Sequence, residues 1–202
     1  AGDTFADEDA LARLLAGIPE DADFVAAHHV YLSPEGIEEI HRCVDFEKTY
    51  RQLLAGQTDG AWLSGIPGHQ ALLTRVGLIR KHRYDLGYRF AADHEFLYRM
   101  RRLGARVHIQ PVIVSQYLGG GLSAQNRWGC LGEWRKIALA YTDHPERVER
   151  RFRRRLVDTL RYSRRLGPFA WRDEPIRSHP VWALLAEAEF RLRTLFDRFD
   201  AL

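Results

Sequence analysis

Residue types able to do chemistry gather in three short blocks of this 202-residue chain. The first is Ala1-Gly2-Asp3, followed closely by the acidic run Asp7-Glu8-Asp9. The second is Gly68-His69-Gln70-Ala71. The third runs from Ala91 to Arg99 as AADHEFLYR, and Gly119-Gly120-Gly121-Leu122-Ser123 follows it. Asp3, Asp93 and Glu95 offer carboxylates, His69 and Gln70 offer nitrogen and amide groups, and Arg99 offers a permanent cation. Each also has a purely structural use. Asp3 and Asp93 stand where helix N-caps stand. Glu95 and Arg99, four residues apart, suit an ion pair along one helix. His69 and Gln70 could satisfy loop backbone groups. The doublet His28-His29 fits a strand with one ring buried and one exposed. His41, His82, His108, His144 and His179 show no metal-ligand spacing to one another.

The elements that must carry these blocks follow from apolar periodicity and breakers. Asp7, Glu8 and Asp9 read as a first helical turn, where carboxylates oppose the helix dipole. Leu11, Leu14 and Leu15 form that helix's stripe, and Gly17 ends it. FVAAHHVYL, Phe24 to Leu32, reads as a buried strand. Pro34 to Arg42 and Phe46 to Leu54 have helical spacing. A glycine-rich loop leads through Trp62 to His69. Ala71 to Arg80 reads as helical, Tyr84 to Tyr88 as a turn, and Ala92 to Leu103 as a helix closed by Gly104. Arg106 to Ser115 reads as a strand whose Pro111 suggests an edge or a bend. From Glu133 the pattern is helical, with Arg150, Arg151, Arg153, Arg154 and Arg155 around one apolar stripe. A last helix carries Val181, Leu184, Leu185, Ala188, Leu192, Leu195, Phe196 and Phe199 on one side. A soft boundary falls between Ser123 and Gly132.

Composition excludes several classes. No apolar run reaches the roughly 18 residues that a spanning helix needs. The N-terminus lacks the basic-then-apolar pattern of a signal peptide. Cys43 and Cys130 show no CxxC spacing and suit reduced thiols in a reducing compartment. A net charge of +3 is too small to imply a nucleic-acid binder. The arginine-rich helix is either a solvated face, with Glu146, Glu149 and Asp158 as partners, or a basic surface for anionic lipid headgroups.

In order and spacing, the three blocks resemble glycosyltransferase family 2, in particular members that build bacterial surface polysaccharides. Those carry an N-A-G-D or N-S-G-D segment, an acidic helix, an H-Q-A segment, an A-A-D-x-x-F-L-x-R helix and a G-G-x-S loop. The resemblance covers residues 1 to about 125. It implies an α/β fold: a partial mixed sheet of GT-A type with flanking helices, then an α-helical C-terminal extension, divided as 1–125 and 126–202. It implies an inverting enzyme that moves one sugar from a nucleotide-diphosphate donor to a saccharide or lipid-linked acceptor. Asp3 matches the last carboxylate of the family's metal motif, a ligand for Mg²⁺ or Mn²⁺ that would neutralise the diphosphate. Asp93 matches the catalytic base that takes the acceptor's hydroxyl proton. A helix dipole lowers such a carboxylate's pKa, so burial or a neighbouring charge must counter it. His69, Gln70, Glu95 and Arg99 match the substrate side of the site. Gly120 and Gly121 would let backbone approach or close over the phosphates.

The chain also departs from the family pattern. The usual first half, a repeated strand-helix unit that grips the nucleotide base, is absent, so a preceding segment or a second copy of the chain would supply it. His28-His29 replaces a Gly-Asp common in relatives. Gln125-Asn126-Arg127-Trp128 has one residue too few to match the Q-x-x-R-W motif of processive members, which favours single-sugar transfer. The expected place is the cytoplasm, peripherally at the inner membrane face. Two other classes stay open: a non-catalytic remnant that binds a partner or a membrane surface, and a helical regulatory or DNA-binding module.

Overall fold

The computed structural model describes residues 3–33, 36–43 and 45–165; of these, the side chains at 60–61, 124–125, 127–128 and 156–165 are outside the description. It is a mixed α/β structure with an open mixed sheet and flanking helices. Contacts divide it into two compact units, Ala1–Val148 and Glu149–Leu202, whereas the sequence suggested a division at 125/126. The second unit is helical through Arg165. The stripe from Val181 to Phe199 lies outside the described residues.

The first unit is organised by β2, Phe24–Leu32, and β5, Val107–Leu118, which pair in parallel. β1, Thr4–Phe5, runs antiparallel on the far side of β5. The other side of β2 is shared by two short antiparallel strands. β4, Leu72–Thr74, takes Phe24 to Ala26, and β3, Glu38–His41, takes His29 to Leu32. The path is therefore β1-β5-β2-β3 with β4 also on β2.

β2 is apolar over its first four residues because both of its faces are covered. Val25 and Ala27 pack with Ala10 and Leu14 of α1, Ala10–Leu15, and with Val114. Phe24 faces the other way and meets Phe96 of α5, Ala92–Arg102, edge to face at 6.1 Å. A second core gathers around Tyr98, which is fully buried. Phe46 and Tyr50 of α2, Phe46–Leu54, lie 5.5 and 6.2 Å from its ring. Trp62, from α3 (Gly60–Ser64), and Tyr141, from α7 (Arg127–Tyr141), stack on it at 6.1 and 6.3 Å. Two short helices complete the unit, α4 at Val76–His82 and α6 at Leu122–Gln125, and α8, Pro145–Arg165, begins within it.

Several local expectations are corrected. Residues 38–41 form a strand, not a helix: pairing with β2 satisfies their backbone, although Ile37 and Ile40 remain more than 40 % exposed (59 % and 48 %). The segment after His69 is a 3₁₀ turn, then β4, then α4, not one helix. Asp7 to Asp9 precede α1 and do not form its first turn; Asp7 accepts the Asp9 N–H and a bidentate pair from Arg13. Only Ala10 and Leu14 of α1 are buried. Pro111, by contrast, meets the expectation of an edge or a bend: β1 pairs β5 only at Ser115 and Gln116, so no described strand flanks Pro111 on that side, and on the other it falls in a register shift between Ala26↔Ile109 and His28↔Ile113. α7 begins at Arg127, ahead of the expected Glu133.

Because Tyr98 joins four elements through ring contacts, Tyr98→Ala should lower unfolding stability by about 3–5 kcal/mol. A shift in urea midpoint at unchanged slope measures this, and a loss under 1 kcal/mol would mean that the aromatic cluster is not a shared core.

Candidate active site

Asp93 is placed by the backbone just before it. The carboxylate of Glu133, on α7, accepts N–H bonds from Arg89 at 2.7 Å, Phe90 at 2.7 Å and Ala91 at 2.8 Å. Three consecutive donors on one carboxylate fix the loop that enters α5. Tyr141, also on α7, donates to Glu95 Oε1 at 2.7 Å. Trp134 donates its indole N–H to His94 Nδ1 at 3.0 Å, and the two rings stack. α7 thus grips the first turn of α5 at three places.

The Trp134 contact has a chemical consequence. An indole N–H can only donate, so His94 Nδ1 is the acceptor and the ring's proton is on Nε2. That atom lies 3.8 Å from Asp93 Oδ2, beyond hydrogen-bond range. The same oxygen lies 3.3 Å from His69 Nδ1. Asp93 is about one quarter exposed, at 24 %, and His69 is open to solvent at 63 %. Burial pushes the Asp93 carboxyl up, but the electrostatic effect of the neighbouring His94 ring, the bond to His69 and the charge of His69 outweigh it and hold the group down at about 2. The bond to Asp93 pushes His69 up, against burial, and the charge of Asp3 adds to the rise. A histidine and a carboxylate are therefore joined as a dyad with one exposed member.

The other residues converge on the carboxyl ends of β2 and β5, the end at which open α/β sheets bind ligands. Asp3 precedes β1, and its Oδ1 accepts the Leu118 N–H at 3.1 Å. Gly119 follows, bonded through its N–H to Leu32 O at 2.8 Å. Gly120 has φ of 84°, which favours glycine, and Gly121 is extended at the start of α6. Gln70 is held through its backbone: its carbonyl accepts Ser115 Oγ at 2.8 Å. Close packing shapes this end of the sheet. A Cβ on Gly68 would stand 2.7 Å from His29 Cε1, and one on Gly119 would collide with the Tyr31 hydroxyl. On the α5–α7 side, a Cβ on Gly129 would collide with the Phe90 ring.

The fold brings Asp3 and Asp93 each into electrostatic reach of His69, with the glycine run beside Asp3. It keeps Glu95 and Arg99 apart from them. Glu95 is buried and bonded to Tyr141 and to Arg99, whose Nε donates at 2.9 Å. The remaining Arg99 nitrogens donate to the carbonyls of His82 and Arg83. These two residues tie α5 to α7 and to the end of α4. Sequence reasoning missed Glu133, Trp134 and His94. His94 lies beside Asp93 in the same block, but nothing in the spacing marks Glu133 or Trp134, which act across more than 35 residues of chain (Trp134 to His94 spans 40). His29 was read chiefly as half of a strand pair, with a ligand role as the lesser alternative. It is buried, its ring lies 4.9 Å from that of His41 of β3, and burial, His41 and His69 push it down to about 4.

Among the described residues no group of three His, Cys, Asp or Glu is arranged to hold a metal ion. Comparison with protein-family models, with characterised proteins and with solved structures found no match to the chain.

Two outcomes test the geometry. Glu133→Gln removes the charge and one of the two accepting oxygens, and should cost about 1–3 kcal/mol in thermal or urea unfolding. His29 gives a pH dependence. Its folded value of about 4 lies below the ordinary 6.5, so the unfolded chain takes the proton first as pH falls. The stability from its neutral burial is complete above 6.5 and is lost as pH falls towards 4, by about 3 kcal/mol at 1.36 kcal/mol per unit. The stability difference between the wild type and His29→Gln should shrink by that amount across the window; a difference independent of pH would reject the assignment.

Proposed function

We propose that the chain is all or part of an inverting glycosyltransferase that moves one sugar from a nucleotide-diphosphate donor to a hydroxyl of a saccharide or lipid-linked acceptor. The observation that carries this reading is the Asp93–His69 pair, 3.3 Å apart, standing with Asp3 and the Gly119–Gly121 turn at the carboxyl ends of two parallel strands. The order of these blocks along the chain, described above, supports it.

In this reading Asp93 and His69 work as one base. A carboxylate held at about 2 is by itself a weak proton acceptor at neutral pH. His69, raised by its bond to Asp93, is the stronger proton acceptor of the two and is open to solvent. As the acceptor oxygen bonds to the anomeric carbon, its proton passes to the dyad and rests on the imidazole. The bond from that carbon to the diphosphate breaks, and the electron pair leaves with the phosphate. Asp93 holds the ring's orientation and stabilises the imidazolium.

Asp3 would hold Mg²⁺ or Mn²⁺. One Asp3 oxygen is taken by the Leu118 N–H, so the protein offers little more than one free carboxylate oxygen. That donor set fits a small hard cation that keeps waters and takes its other ligands from substrate phosphates. When bound, the ion would neutralise charge on the leaving diphosphate. No described helix is long and apolar enough to cross a membrane, which is compatible with peripheral work at the inner membrane face.

A second reading, a non-catalytic module that binds a partner or membrane surface, is favoured by exposed apolar groups at both sheet edges. Phe5 of β1 is 60 % exposed and Ile40 of β3 is 48 % exposed, as if another segment or copy were to cover them.

Calorimetry with UDP-, GDP- and dTDP-sugars in the presence of Mn²⁺ separates the two. Metal-dependent binding that Asp3→Ala abolishes supports the enzyme; no binding to any donor supports the module. With a donor identified, Asp93→Asn and His69→Ala should each lower turnover at least about a hundredfold while leaving donor affinity in place. Full turnover in His69→Ala would return the whole task to Asp93, and full turnover in Asp93→Asn would remove the dyad from the chemistry.

A further inference from the structure

α4 is unusual among the helices. Its sequence, VGLIRKH, is apolar in its first half and basic in its last turn; Leu78, Ile79 and His82 are half-buried, none of its residues is fully buried, and Val76, Arg80 and Lys81 are exposed. An apolar helix in a folded unit normally hides one face. Val76 is 60 % exposed. The turn that follows carries Tyr84, half exposed, and Leu86, which at 96 % is the most exposed large apolar side chain among the described residues. Between Val76 and Arg89 the charged residues are Arg80, Lys81, Arg83, Arg89 and a single acid, Asp85. Asp85 is occupied with the Gly87 N–H. Among the described residues, Arg80, Lys81 and Arg83 have no carboxylate partner. The segment is held in place nonetheless: Arg99 bonds the carbonyls of His82 and Arg83, and the Tyr84 ring packs 5.0 Å from Phe96.

We propose that the segment from Val76 to Arg89 is a docking surface for an anionic lipid bilayer, with Leu86 and Val76 entering the headgroup region and Arg80, Lys81 and Arg83 meeting the phosphates. The occupant follows from the combination. Exposed aliphatic side chains beside unpaired cations match the two parts of an anionic interface, an apolar interior under a negative surface. An acidic protein would account for the cations but not for a lone, fully protruding leucine, and the same holds for nucleic acid. Its residues are not those of the arginine-rich helix beyond Val148.

The surface borders the candidate site. Tyr84 is near enough to Asp93 for that carboxylate to add to the burial that raises its phenol, and Phe96 is on the same helix as Asp93. Docking would therefore set the Asp93–His69 pair next to the bilayer, where a lipid-borne acceptor would present its headgroup. That last consequence rests on the glycosyl-transfer reading; the docking itself does not.

The test is sedimentation of the chain with phosphatidylcholine vesicles, with and without about one third phosphatidylglycerol, at low and moderate salt. The chain should sediment with the anionic vesicles alone and release as salt rises. Leu86→Ser should weaken partition about tenfold, and Arg80→Gln with Lys81→Gln about fivefold for each charge removed. All three positions are exposed, so circular dichroism should be unchanged. Equal binding to neutral vesicles, no binding at all, or binding that these variants leave intact would each overturn the proposal, the last by assigning attachment to another surface. Self-association lost on Leu86→Ser without vesicle binding would also overturn it, by making a second copy the occupant. None of these readouts uses a sugar donor, so failure here and failure of the enzymatic reading are separable.

Discussion

A single carboxylate accepting three consecutive backbone N–H groups sets the geometry on which the candidate site depends. Glu133 stands where the chain enters α5, and residues 89 to 91 have their donors aimed at it. Such donors, left without partners in a partly buried loop, would each cost free energy comparable to a lost hydrogen bond. Meeting all three with one ionised group fixes the phase of α5. That phase determines which side chains face the sheet and which face the dyad. Phe96 and Met100 go to the core, Glu95 goes to Tyr141, and Asp93 is left facing His69. α7, though it follows the sheet in sequence, is therefore part of the site's foundation.

How far the sequence could be read depended on whether each residue's role was local. α5 was legible because its apolar residues, its acidic first turn and Gly104 at its end all act within a few residues of one another. β2 was legible because both of its faces are covered and an unbroken apolar run records that. Residues 38–41 were not, since Ile37 and Ile40 at helical spacing mimic a helix, while the deciding force is pairing with a strand already in place. The stretch from His69 to His82 hides three short elements, each below the length at which periodicity speaks. Pro111 signalled both an edge and a bend, and it stands where β5 has no β1 partner and its register with β2 shifts.

The same contrast holds for the candidate site. The blocks carrying Asp3, His69 and Asp93 were visible as unusual polar clusters, and the fold brings both carboxylates within electrostatic reach of His69. Glu95 and Arg99 were visible for the same reason, yet their polar atoms are spent on α7 and on the end of α4. Nothing in the composition of a nine-residue block separates a carboxylate that faces an imidazole from one that faces a buried tyrosine. The difference lies in helix phase, and helix phase is decided by Glu133, far along the chain.

The glycines that meet aromatic or imidazole rings carry a consequence for neutral drift. At Gly68, Gly119 and Gly129 an added methyl would run into His29, Tyr31 and Phe90 respectively, whereas Gly77 and Gly132 have open space in the same direction. A population of variants accumulating changes at random would lose diversity at the first three positions and keep it at the other two. The rings are as constrained as the glycines: a larger residue at 68 becomes tolerable only if position 29 shrinks, and the two would be expected to change together. The walls of the site are thus inherited as pairs of a missing side chain and the ring that fills its space, and divergence at this end of the sheet would proceed by coupled exchanges, not by single steps.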